Sequence, residues 1–121
     1  MSTDKLLILL SKLEERTDQG SVTWEITSNE NQFQTVIGNY ILRLLEVSGD
    51  FSPEPDYVLR IQDHDGAIIE SISDTELHQM NPDYQAFQVM SKVFRLARRS
   101  AMGVDKAIDS IISELDDFGL F

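Results

Sequence analysis

Apolar positions at the start of the chain recur with helical spacing. Leu6, Leu9, Leu10 and Leu13 form one stripe, with Leu7 at its edge, and Glu14, Glu15 and Arg16 fall on the other side. This pattern predicts a helix over residues 3–17. Ser2 or Thr3 can cap it, and Asp4 lies in the first turn, where the helix dipole favours an acid. Gly20 supplies a stop. The period then shortens to two: Val22, Trp24 and Ile26 alternate with Thr23, Glu25 and Thr27, as in a half-buried strand. After a polar turn at 28–31, Phe33, Thr35 and Ile37 continue a second strand. Gly38-Asn39 fits a two-residue hairpin of type II′, because Gly accepts the positive φ. Residues 40–47 return as a third strand. Its nearly continuous Ile41, Leu42, Leu44 and Leu45 predict burial on both faces and a central place in the sheet.

Residues 48–56 form the one long loop, with Pro53 and Pro55 removing backbone donors. Tyr57, Leu59 and Ile61 alternate in a fourth strand. The Asp63-His64-Asp65-Gly66 turn leads to a fifth over 67–72. Ser73 and Glu76 have capping-box spacing and predict a short helix to about Met80. Asn81-Pro82 reads as a new cap and first helical position, opening a long helix to about Met102 with a stripe of Phe87, Met90, Phe94, Ala97 and Ala101. Gly103 breaks it. A last helix begins at Asp105, with Val104, Ala107, Ile108, Ile111, Ile112 and Leu115 on one face. The order predicts an α+β fold of one domain over 1–121: an N-terminal helix, a five-stranded antiparallel meander and C-terminal helices packed mainly on one face.

Composition then narrows the chemistry. The net charge is −11, from 21 acids and 10 bases, which repels bare phosphate backbones and argues against nucleic acid as a partner. No Cys is present, which removes disulfides, thiolate metal sites and thiol nucleophiles. The longest apolar run, 6–10, is far short of a membrane span and has no leader-like flanks. Cytosol is the expected compartment. Gly66 set at the sixth position of a calcium loop would put Ile61 and Ile72 where oxygen ligands are required, so a surface turn is the better reading. His64 and His78 lack ligand-like spacing, and the six single glycines form no phosphate loop. No serine sits in a nucleophile elbow. We therefore expect no catalytic residue, no metal site and no cofactor.

Two features stand apart. Lys92, Arg95, Arg98 and Arg99 are four of the ten bases, and 92, 95 and 99 project to nearly one side of the long helix. They read either as a solvated face paired with acids of the sheet or last helix, or as a partner surface. The second feature is the apolar end, Phe118, Leu120 and Phe121, which either folds back into the core or contacts another subunit. Phe51, in the long loop, is a further candidate contact.

The segment Leu96-Ala97-Arg98-Arg99-Ser100-Ala101-Met102-Gly103-Val104-Asp105-Lys106-Ala107-Ile108, with Trp24-Glu25 and Asp65-Gly66-Ala67-Ile68-Ile69, resembles a group of small uncharacterised bacterial proteins. That resemblance implies a bacterial cytosolic protein and no named activity. Together these readings predict a non-enzymatic, acidic protein-binding or regulatory module; a purely structural homo-oligomer built on the last helix and tail is a separate possibility. The alternatives are an immunity or antitoxin protein masking a basic toxin, and a small-molecule binder or minor hydrolase with a sheet–helix pocket around Trp24, Tyr40 and Tyr57.

Overall fold

The computed structural model describes residues 2–48 and 53–118, without the side chains of residues 2–4. Its elements run α1 (Ser2–Asp18), β1 (Glu25–Ile26), β2 (Gln32–Ile37), β3 (Tyr40–Val47), β4 (Asp56–Asp63), β5 (Ile68–Ser73), α2 (Asp74–Met80), α3 (Ala86–Met102) and α4 (Val104–Phe118). The five strands pair in sequence order and every neighbour is antiparallel. This is the expected α+β meander, with β3 at its centre. The β2–β3 turn has Gly38 at φ 62 and no positive φ at Asn39, which fits the type II′ turn.

Register sorts the strand residues onto two faces. Phe33 opposes Leu44, Leu44 opposes Leu59, and Leu59 opposes Ile72, so these four share one face. All are buried, and α3 crosses this face from β1 to β4 with Met90, Val93, Phe94 and Ala97 turned into it. Leu6, Leu10 and Leu13 of α1 complete the core, α1 lying mainly against α3. Aromatic contacts tie the layers. Phe94 is tilted against Phe33 at 5.3 Å and against Tyr57 at 5.4 Å, and Tyr57 meets Phe87 at 5.7 Å.

Two polar ties fix the layers further. The indole Nε1 of Trp24 donates to Thr17 Oγ1 at 3.1 Å, and the Trp24 backbone N–H donates to Ser100 Oγ at 2.9 Å. One residue thus joins the end of α1 to the end of α3. It also explains why β1 spans two residues rather than the longer strand expected from Val22 to Ile26: the Trp24 amide is bonded to a helix instead of a strand. At the other end of the sheet the Asp74 side chain, only 6% exposed, accepts the Tyr57 backbone N–H at 2.8 Å. The predicted capping box is formed, with Ser73 Oγ accepting from Glu76 N and Glu76 Oε1 accepting from Ser73 N. The long helix starts four residues after Pro82. Asn81 is already used as the C-cap of α2, donating to Leu77 O, so residues 82–85 form a turn before α3 begins at Ala86.

Candidate functional site

Helix α3 ends where Gly103 takes the left-handed conformation, φ 63, and its N–H bonds back to the carbonyls of Arg99 and Ser100. Helix α4 starts at the next residue. The junction is further held by Arg99 Nη2, which donates to Asp105 Oδ1 at 2.8 Å. Beyond this point α4 packs on little else, and none of its residues is buried. Its apolar side is a ridge open to solvent: Ile108 is 43% exposed, Ile111 57%, Leu115 60% and Phe118 69%. Phe118 therefore does not fold back into the core, while Leu120 and Phe121 lie outside the described residues. The flanks of the ridge carry Asp109, Glu114, Asp116 and Asp117. No base occupies the last turn, although the helix dipole there favours cations.

The predicted basic stripe is divided among separate environments. Lys92 Nζ lies 3.9 Å from Glu14 Oε2 of α1, and Arg99 is committed to Asp105. Arg95 faces the Tyr57 hydroxyl, which donates to Glu46 Oε2 at 3.0 Å. Burial, with the hydrogen bond and charge of Glu46 added, pushes the Tyr57 hydroxyl up to about 12, and Arg95 opposes that rise. Arg98 is exposed and borders both this recess and a neighbouring one lined by Ile26, Phe33 and Met102. Exposed pairs such as Arg99–Asp105 add little stability, about 0–1 kcal/mol.

A second surface lies across the molecule, on the sheet face that α3 leaves uncovered. Register places Val36, Ile41, Arg43, Leu45, Val58, Arg60 and Ile68 on it. Arg43 and Arg60 are directly opposite on β3 and β4, with Gln34 and Ser71 as their outer neighbours in the row. Neither guanidinium has an ion pair among the described residues, and Arg43 Nε is buried without a hydrogen-bond partner. Like charges directly opposite are unfavourable in a sheet. Around them Val36 is 59% exposed, Val47 44% and Ile68 57%, whereas Leu45 and Gln32 on the same face are buried. The sequence reading missed this pair. The signal was present in the alternation of β3, where Leu42 and Leu44 point inward and Arg43 therefore points out.

The remaining candidates are scattered. Phe51 lies outside the described residues. Trp24 and Tyr57 are spent in the core, whereas Tyr40 is 49% exposed at the β2–β3 turn, so the three do not converge on one pocket. Asp63 Oδ1 accepts from Asp65 N and Ala67 N, which makes the 63–66 segment a self-capped turn. His64 sits 3.6 Å from Asp65 there, both exposed. His78 borders an open cleft of about 800 Å³ between α2 and the start of α3, with Pro55, Asp74, Tyr84 and Phe87. Among the described residues no cluster of three or more His, Asp or Glu is placed to hold a metal ion, and no helix is long and apolar enough to cross a membrane. No family model, curated protein or solved structure matches this chain.

Proposed function

We propose that this chain is a non-enzymatic protein-binding module, and that α4 is its contact element. The observation that carries this reading is the ridge of Ile108, Ile111, Ile112, Leu115 and Phe118, each at least 43% exposed on a helix with no buried residue. An isolated helix of this length is marginal in water, and its apolar face is usually what stabilises it by packing. A contiguous exposed apolar patch rimmed by charge is the mark of a contact surface. The basic residues of α3 are the weaker surface, because Lys92 and Arg99 already face acids of the same chain. The partner is a protein, and the compartment is the cytosol that the resemblance implies.

A photo-crosslinking amino acid at position 111, on the ridge, tests the reading against the same probe at position 113, on the opposite side of α4. Protein adducts from 111, well above those from 113, are expected in the producing cell. Equal or absent adducts at 111 would sink the contact role.

A further inference from the structure

Two surfaces of this chain are incomplete in opposite ways, and the geometry points to one closing the other. We propose that α4 of one copy docks on the open sheet face of a second copy, and reciprocally, to make a two-fold dimer. The inference rests on the reading of α4 as a contact element and names its partner.

The two surfaces are complementary first in charge. The open face carries Arg43 and Arg60 side by side, with no ion pair among the described residues. Helix α4 carries Asp109, Glu114, Asp116 and Asp117 beside its ridge, three of them near the helix end where acids are least favoured. The Arg43–Arg60 pair and this acidic flank are opposite in sign, while the acids of the sheet face, Glu25 and Asp56, lie towards its rim on β1 and the first residue of β4. Both surfaces are also apolar around their charges: Val36, Val47 and Ile68 on the sheet, and Ile111 and Leu115 on the helix, are 44–60% exposed. Dimensions agree. A 15-residue helix is about 22 Å long, close to the roughly 26 Å of the eight-residue β3.

The helix cannot fill this face in its own chain. It leaves α3, which covers the other side of the sheet, through the single residue Gly103. A second copy has no such constraint. An exchange of helices about a two-fold axis closes at two subunits and leaves neither surface open. Pairing of α4 with another α4 would instead cover only the ridge and leave the Arg43–Arg60 pair unanswered.

Sedimentation of the full chain tests the proposal with two charge-reversed variants. One is Arg43→Glu with Arg60→Glu; the other is Asp109→Lys, Glu114→Lys, Asp116→Lys and Asp117→Lys. The unaltered chain should be dimeric at micromolar concentration. Each variant alone should weaken dimerisation by about tenfold or more, since like charges then face each other. An equimolar mixture of the two should restore a dimer, because both of its contacts pair opposite charges. Unchanged Trp24 fluorescence in each variant is the check on folding. Should the double sheet variant fail that check, Arg60→Glu alone replaces it in the same mixture. A monomeric parent chain overturns the proposal. So does a dimer indifferent to the sheet substitutions, which identifies α4–α4 pairing, or a mixture that stays monomeric. If position 111 crosslinks to a different protein while the chain is monomeric, the dimer is wrong and the contact role stands. Absence of adducts removes both.

Discussion

Asp74 gives the most direct test of how the sheet and the C-terminal helices are joined. It is the first residue of α2, it is 6% exposed, and its Oδ1 accepts the backbone N–H of Tyr57 at 2.8 Å. Replacing it with Ala removes a hydrogen bond to a charged acceptor, worth about 1.5–3 kcal/mol net, and leaves the Tyr57 N–H buried without a partner. It also removes a carboxylate from the first turn of a helix, worth about 0.3–1 kcal/mol. We expect a loss of about 3 kcal/mol for Asp74→Ala. Asp74→Asn keeps an acceptor of the same shape and should lose about 1 kcal/mol. Urea unfolding followed by Trp24 fluorescence reads this core directly, because Trp24 is the only tryptophan. At a slope of about 2 kcal/mol per molar urea, the Ala midpoint should fall by about 1.5 M and the Asn midpoint by about 0.5 M. All three chains are compared at one protein concentration, since association changes apparent stability. Asp74→Ala within 0.5 kcal/mol of the parent would refute the reasoning, as would Asn costing as much as Ala.

Tyr57 makes stability fall in alkali. Its folded value of about 12 lies above the ordinary 10, so the folded state holds the proton longer; the contribution is complete below pH 10 and is lost as pH rises towards 12. The loss is at most about 2–3 kcal/mol. Tyr57→Phe should flatten that fall without abolishing it, because burial raises Tyr84 in the same direction; an unchanged slope in an alkaline unfolding series would contradict the assignment. Met90→Ala, at a fully buried site, should cost about 2–5 kcal/mol, whereas Ile111→Ala, 57% exposed, should move the monomer's stability by less than about 0.5 kcal/mol. Comparable losses at both sites in urea unfolding would mean that α4 is part of the core. Trp24→Phe leaves the buried Thr17 hydroxyl without its indole donor and should cost about 1–3 kcal/mol by thermal unfolding, and a neutral result would show that the Trp24–Thr17 tie to α1 carries no stability.

Much of the architecture was readable because each element has its own period. The 3.6-residue rhythm of Leu6, Leu10 and Leu13, the alternation of Tyr57, Leu59 and Ile61, and the capping box at Ser73 and Glu76 are local rules that the tertiary structure keeps. The misplacements arose where one residue serves two elements. Asn81 closes α2 and so cannot also cap α3, and Trp24 gives its amide to Ser100 rather than to a strand. The candidate surfaces were less legible. Periodicity finds the ridge of α4 but cannot tell whether its cover lies in the same chain, so folding back of Phe118 into the core is the natural expectation, and its 69% exposure overturns it. The basic residues of α3 stood out in sequence by their number, yet Lys92 and Arg99 meet acids of α1 and α4 in space. Arg43 and Arg60 are 17 positions apart, and only the β3–β4 register makes them neighbours.

The one-residue joint at Gly103 has a consequence for cooperativity. Helix α4 shares almost nothing with the hydrophobic cluster, so in a dilute monomer it should melt as a separate unit, before the sheet gives way. Far-ultraviolet dichroism, which counts every helical turn, would then report an earlier and broader transition than Trp24, which senses only the interior. Raising the protein concentration should draw the two curves together, because a docked helix can no longer unravel ahead of its host.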